Sequence, residues 1–550
     1  MTKNKHLLPA IYPAILLYMN AAAFFFGIIY LLRPRETFIW NIFGYLMLIT
    51  LFGNIGLSVW KESPVIPGRL YLFLSAAFMS GVFILNTLVS IDPENFSSQS
   101  RIAHGLILAL FGLGGIMAYQ SHVNPIPSNN GLAEEKKTGN SMAQIPKNIA
   151  IILLSAILYF GLYLAVNLLK VSKVGTLEPF ISEYALFLAV IFLSIGVLIV
   201  QLLDKAKYYF YYSIVLTVTI FIFLVFLLPL AFLPATLKNA ENDFAAAFGD
   251  EYKANPIFKG NQYRQLPFSM AEYFFGIPSN HYLLTKDVVF YEGMEGVDQG
   301  LKLAFDVYTP SQGQQVNGYP VLIRIHGGAW TSGDKGERNF SQMNKYYAAQ
   351  GYAVFDIEYG LNDKINWLKM NPTEKSRSGN FTIDDMVRHI GLFTKYLVQH
   401  QKEYRVNLNQ VFVSGGSAGG QLAMAAGLGM ASGNYQKILD SQIQIRGIIP
   451  FYPANGISTV FEINGRQELV DPILLIDKSS PPCLIYQGSH DGLVDKEIAE
   501  DIRLAYLDDG NGLCAVIRMP FGGHASDLYF SGYYNQIFVY YMERFLYQYQ

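Results

Sequence analysis

Seven stretches within the first 233 residues contain no Asp, Glu, Lys or Arg, and each is at least 18 residues long. They run near 7–32, 37–60, 70–91, 102–119, 148–169, 184–203 and 209–233. A helix needs about 17–25 mainly apolar residues to cross the hydrocarbon of a bilayer. The stretches therefore predict seven transmembrane helices. The first is too long, and too closely followed by the second, to be only a cleaved leader. The fourth is the shortest and is rich in glycine.

The charge distribution sets the remaining organisation. Only 15% of the 550 residues are charged, against roughly 25% in an average soluble domain, and the deficit lies before residue 234. The chain thus divides into a helical membrane region over 1–234, a connector over 235–284 and a soluble region over 285–550. A net charge of −2 gives no electrostatic case for nucleic acid. Two cysteines, Cys483 and Cys514, exclude a disulfide scaffold and a cysteine-rich metal site. They read as small buried residues.

Orientation follows from Lys and Arg in the short loops. With a cytoplasmic N-terminus, the inner segments carry nine: Lys3, Lys5, Lys61, Arg69, Lys136, Lys137, Lys147, Lys205 and Lys207. The outer loops carry five: Arg33, Arg35, Arg101, Lys170 and Lys173. Seven spans then place the soluble region on the outer face. Charged residues inside spans are costly and mark transport or relay functions, and these spans contain none. Asn20, Asn41, Asn54, Asn86, Asn167 and His104 read as groups that bond between helices. With no internal repeat, the membrane region reads as an anchor or a platform admitting a lipid-like substrate. The stretch 121–147 reads as a flexible cytoplasmic linker. In the connector, Phe268, Met270, Ala271, Tyr273, Phe274 and Phe275 form an apolar-aromatic cluster that reads as a packing helix, with a segment lying on the membrane or covering the active site as the alternatives.

From Asp287 onward, short β-rich runs alternate with helical stretches. The strands fall at 288–291, 303–308, 321–325, 352–357, 411–414, 447–450, 483–487 and 515–519. Helices fall at 339–350, 382–400, 420–430 and 495–509. This alternation predicts a mainly parallel sheet with helices on both faces, whose chemistry gathers at the carboxyl ends of the strands. Four motifs sit at such ends. Gly415-Gly416-Ser417-Ala418-Gly419-Gly420 joins a buried strand to a small-residue helix. A serine there sits on a sharp turn, its hydroxyl exposed beside a helix N-terminus. His326-Gly327-Gly328-Ala329-Trp330 follows the 321–325 strand. The amides of Gly327, Gly328 and Ala418 are candidates to stabilise a developing oxyanion, and His326 to order their loop. Asp491, after the 483–487 strand, is the candidate acid; Asp495 competes but opens the next helix. Gly522-Gly523-His524 follows the last strand and offers the base. The chain order Ser417, Asp491, His524 is that of one serine hydrolase class.

These motifs resemble the α/β-hydrolase carboxylesterases related to hormone-sensitive lipase, and more narrowly the bacterial feruloyl-esterase-like and acetyl-esterase-like enzymes. The likeness also rests on Leu303 to Pro310, Gly333-Asp334-Lys335, Gly351 to Val354 and Pro481 to Ile485. It covers residues 285–550 and none of the spans. It implies an α/β-hydrolase fold, with Ser417 as nucleophile, His524 as base, Asp491 as orienting acid, and Gly327, Gly328 and Ala418 around the oxyanion. Two departures stand out. Ala329 replaces the third glycine of the usual run, and Glu358-Tyr359-Gly360 stands where Asp-Tyr-Arg is common.

The expected activity is hydrolysis of a small-molecule, lipid or glycan ester through an acyl-enzyme, beside the lipid bilayer, with no metal or organic cofactor required. Acyl transfer or lipase action through the same residues is the alternative. An inactive receptor-like domain is a third reading, disfavoured because the triad and the elbow glycines are all present. Segments 361–380 and 453–475 border the expected pocket and carry no readable pattern.

Overall fold

The computed structural model describes residues 7–32, 37–60, 65–91, 96–123, 141–171, 175–259, 262–312, 316–363 and 375–550. Most of the 121–147 linker lies outside the described residues, as do residues 364–374 of the pocket-bordering segment. So do eight of the charges used for orientation: Lys3, Lys5, Arg33, Arg35, Lys61, Lys136, Lys137 and Lys173.

Seven helices are long and apolar enough to cross a membrane. They are α1 (Leu7–Leu32), α2 (Phe38–Ser58), α3 (Val65–Ile91), α4 (Phe96–Val123), α5 (Ser141–Leu169), α6 (Ala185–Leu202) and α7 (Tyr209–Phe248). The fourth extends to 28 residues, because its first turns are polar and escape a hydropathy reading. Helix α7 runs 40 residues, well past the apolar stretch ending at 233. Its extension packs along the last strand of the sheet.

The ends of the spans alternate. Tyr30 near the end of α1 lies 5.4 Å from the Phe275 ring. Asn41 opening α2 accepts from the Met270 amide at 2.8 Å. Asn86 near the end of α3 donates to the Tyr529 hydroxyl at 3.0 Å, and His104 in α4 lies 2.6 Å from the Phe275 carbonyl. All these partners belong to the connector or the soluble half. The opposite ends bond to one another: Gln201 of α6 donates to the Ser58 carbonyl at 2.6 Å, and Arg69 of α3 donates to the Gln201 carbonyl at 2.8 Å. Seven helices running in alternating directions give this pattern, which places the α1 start and the soluble half at opposite ends of the bundle.

The polar residues of the spans follow three patterns. Asn20 and Asn54 exchange reciprocal amide bonds at 2.8 Å between α1 and α2, as expected. Asn41, Asn86 and His104 instead reach the connector and the soluble half. Asn167 donates to its own helix, at the Tyr163 carbonyl. The connector forms a short helix, α8 (Met270–Phe275), whose six residues are all buried. It is a packing helix, as its sequence indicated.

The soluble half contains one eight-stranded sheet: β1 (Tyr282–Glu292), β2 (Lys302–Pro310), β3 (Tyr319–Ile325), β4 (Ala353–Ile357), β5 (Val406–Gly416), β6 (Ile445–Phe451), β7 (Cys483–Gly488) and β8 (Cys514–Met519). Its order is β1-β2-β4-β3-β5-β6-β7-β8. The β1–β2 and β2–β4 pairs are antiparallel and the rest parallel. Its central strands are buried on both faces, as the continuous apolar runs required. Helices α9 (Gln342–Ala349), α10 (Ile383–Gln399), α11 (Ala418–Ala431) and α12 (Lys496–Asp508) match the sequence reading. This is the α/β-hydrolase architecture. Cys483 and Cys514 face each other across β7 and β8, buried and unbonded.

One long helix escaped the sequence, as did the four-residue helices Gln401–Tyr404 and Gln467–Val470. Helix α13 (Tyr533–Tyr549) buries Asn535, Gln536, Glu543 and Arg544 along with its aromatics, which blurs its apolar stripe. Gln536, Glu543 and Arg544 meet the connector. Arg264 pairs with Glu272 at 2.7 Å and donates to Gln536 at 2.9 Å, while its amide donates to Glu543 at 2.9 Å. One continuous apolar cluster therefore runs from Leu16 in α1 to Leu546 in α13.

Candidate active site

Ser417 lies between β5 and α11 with φ +56 and ψ −121, a conformation few non-glycine residues adopt. Such strain persists only where surroundings over-determine it. Here the Ser417 amide donates to the Phe451 carbonyl at 2.9 Å, and the Ser417 carbonyl accepts from Gln421 at 3.0 Å and Ala454 at 3.2 Å. The neighbouring glycine is sterically required: a Cβ on Gly419 would lie 2.2 Å from the Ile325 carbonyl oxygen. Helix α11 starts at Ala418, two residues before the expected start at 420. The Ala418 N–H is thus one of the amides a helix leaves without an internal partner.

Three sequence-identified side chains meet at this rim. His524 Nε2 is 3.1 Å from Ser417 Oγ. His524 Nδ1 is 2.9 Å from Asp491 Oδ2 and 3.1 Å from Oδ1. The Asp491 carboxylate is buried and also accepts from the Leu493 and Val494 amides at 2.9 and 2.8 Å. These bonds anchor the carboxylate so that it can orient the imidazole. Asp495 stands exposed at the start of α12, away from the imidazole. His490 contacts Ser489 and Phe521 instead.

The imidazole has its pKa raised above 6.5. Burial pulls it down, but the Asp491 charge and hydrogen bond prevail, with Glu178 and Asp527 adding to them. A raised basicity suits a group that takes a proton from a hydroxyl.

The glycine loop after β3 passes close to the serine. A Cβ on Gly327 would stand 3.4 Å from Ser417 Cβ. Among the described residues, the Gly327 and Gly328 amides donate to no protein acceptor, so both are available to an anionic oxygen. Ala329 adopts φ +51, the left-handed region that its small side chain enters at modest cost. Trp330 pins the loop by donating to Gln421 at 2.9 Å.

His326 is buried and donates from Nδ1 to the Gly327 carbonyl at 2.8 Å. Its ring stacks 4.4 Å from Tyr359, whose hydroxyl donates to the His326 carbonyl at 3.0 Å. Burial lowers its pKa to about 4, so the ring is neutral and structural near neutrality. The departure at Glu358 has a local consequence. Its carboxylate accepts from Arg377 at 2.7 Å and lies 3.2 Å from Lys335, tying the segment after the glycine loop to β4.

Sequence reasoning missed three nearby groups. Tyr452 lies with its ring 4.7 Å from His524, and its hydroxyl donates to Asp527 at 2.6 Å. The third is Glu178, from the α5–α6 loop, whose Oε2 accepts from the His524 and Gly492 amides at 2.8 and 3.2 Å. The available signal was two glutamates, Glu178 and Glu183, set among Pro179, Phe180 and Ile181 in that loop. Among the described residues, no group of His, Cys, Asp and Glu is arranged to hold a metal ion.

Comparison with known proteins gives a consistent family setting. Residues 305–468 match the model of the BD-FAE family, a segment that contains the glycine loop and Ser417 and ends before Asp491. The chain is 22% identical over 237 residues to the probable carboxylic ester hydrolase LipM of Mycobacterium tuberculosis, covering 38% of this chain and 50% of that one. It is 25% identical over 236 residues to esterase LipC of the same organism, covering 38% and 53%. The chain thus spans about half the length of the curated relatives it matches. Among solved structures, the apo form of Thermogutta terrifontis esterase 2 aligns at 22% identity over 49% of this chain and 92% of that one, with a TM-score of 0.37.

Proposed function

We propose that this chain is a membrane-embedded serine hydrolase that cleaves carboxylic esters. The observation that carries the reading is the unbroken line from Ser417 Oγ through the His524 imidazole to the anchored Asp491 carboxylate. His524 accepts the Ser417 proton as the hydroxyl attacks the ester carbonyl. The Gly327, Gly328 and Ala418 amides receive the oxyanion, and His524 protonates the departing alcohol. Water, deprotonated by the same imidazole, then releases the acid. The named relatives, a carboxylic ester hydrolase and an esterase, support the choice of bond.

The orientation inferred from the loop charges puts the N-terminus in the cytoplasm and this site on the outer side, beside the lipid headgroups. Esters of envelope glycans, lipids or small exogenous acids are then the accessible substrates.

The test is hydrolysis of p-nitrophenyl acetate by the full chain in detergent, alongside Ser417→Ala. Turnover by the parent and none by the variant is expected. An equally active Ser417→Ala chain would refute the assignment. A reporter fused after Gln550 tests the side independently, and an extracytoplasmic signal is expected.

A further inference from the structure

The acid and base loops are held together by a carboxylate from the membrane region. Gly492 directly follows Asp491, and its amide donates to Glu178 Oε2 at 3.2 Å. The His524 amide donates to the same oxygen at 2.8 Å. One oxygen thus bridges the two loops at the residues that make the His524–Asp491 pair. Among the described residues, two backbone bonds also join these loops nearby, the Ser489 amide to the Met519 carbonyl at 3.0 Å and the His490 amide to the Gly522 carbonyl at 2.9 Å, and the Phe521 amide donates to Ser489 Oγ at 3.0 Å beside them. These lie on the strand side of the pair.

The fit around Glu178 is close. The residue is 3% exposed. A Cβ on Gly523 would stand 3.1 Å from Glu178 Cβ and 3.4 Å from its Oε2. Only a glycine beside His524 gives the incoming side chain full room. Ser417, by contrast, is fixed by backbone bonds within the soluble half alone.

We propose that Glu178 is a positioning residue of the active site, through which the membrane region sets the place of His524. This inference rests on the triad reading above. Amide donors to an ionised carboxylate form stronger bonds than amide donors to a neutral acceptor, so the bridge is suited to hold loops under catalytic load. Its charge also stands beside the imidazole. The groups facing His524 are Asp491 after β7, Glu178 from the α5–α6 loop, Asp527 beyond β8, and Tyr452 after β6, whose hydroxyl is committed to Asp527. All three charged groups favour the protonated ring, and Glu178 is the one supplied by the membrane region.

Two substitutions separate placement from charge, measured on the full chain in detergent with p-nitrophenyl acetate. Glu178→Gln keeps an acceptor oxygen and removes the charge. It should retain the plateau kcat within a few-fold and move the acidic limb of kcat/KM to lower pH. Glu178→Ala removes both, and a displaced imidazole should lower kcat roughly ten- to hundredfold while KM changes little. Ser417→Ala in the same series checks the underlying reading. If the parent is active through Ser417 yet the Gln variant keeps the parental pH limb, the inference fails while the triad stands. An inactive parent would instead sink the triad reading. The Gln variant carries the test even if the Ala variant does not fold.

Discussion

The two halves of the molecule bury polar groups in opposite ways. Inside the spans the buried polar pairs are neutral amides and hydroxyls, such as Asn20 with Asn54 and Thr87 with Tyr184. In the soluble half, buried ionisable groups are surrounded by donors or counter-ions. Asp356 accepts from Asn339 at 2.5 Å, Asn344 at 2.8 Å and the Gly336 amide at 2.8 Å, and Arg377 pairs with Glu358 at 2.7 Å. A charge in lipid is costly however it is arranged, whereas a water-soluble fold can surround one with partners. The boundary between the halves is where the two habits meet. Glu178 and Glu183 leave the spans and enter the soluble half, and burial, reinforced by Asp527, pushes the Glu183 carboxyl well up. The contrast teaches that catalysis is confined to one half while its alignment is shared.

The sharpest separation of the halves comes from the chemistry. Replacing Ser417 with Ala should cost roughly 10⁶-fold in kcat and leave the thermal unfolding profile of the detergent-solubilised chain unaltered. A shifted profile would mean that the elbow also holds the fold. Next, Asp491→Asn should lower kcat roughly 10⁴-fold, because the amide cannot hold the imidazole in its working tautomer; steady-state kinetics at saturating ester reads this.

The pH profile follows from the raised basicity of His524. The working base is the neutral ring, so activity is present above its pKa and is lost as pH falls through it. The limb of kcat/KM should therefore lie above 6.5, the ordinary imidazole value. A limb below that value would contradict the carboxylate environment described here.

The boundary itself is tested by Arg264→Ala, which strips Glu272 of its buried partner and should destabilise the chain by about 3–5 kcal/mol. A clear fall in the thermal midpoint is expected. The smallest effect belongs to the membrane half: Asn20→Leu should cost about 1 kcal/mol and leave kcat unchanged. A large loss of turnover there would show that the spans take part in chemistry.

The soluble half was legible because its strands are short apolar runs ending in glycine-rich turns. All eight strands of the large sheet were found, though not the two-residue strands Leu361–Asn362 and Ser378–Gly379, and Ser417, Asp491 and His524 were placed by their positions after β5, β7 and β8. The spans were legible from hydropathy alone. What was not legible depends on distant pairing. Glu178 is 346 residues from His524, and nothing local marks an acid as a partner for two amides. Helix α13 was hidden because the polar face it buries, Gln536 and Glu543 among it, has its partners in the connector. Asn41, Asn86 and His104 were read as interhelical because the sequence does not show that a buried connector helix lies against the span ends.

The most direct test of the account is to react the full chain with a fluorophosphonate and locate the adduct by peptide mass spectrometry. The account predicts a single adduct on Ser417, with a labelling rate that rises with pH through the same limb as ester turnover. An adduct on another residue, or labelling of Ser417 that ignores pH, would contradict it.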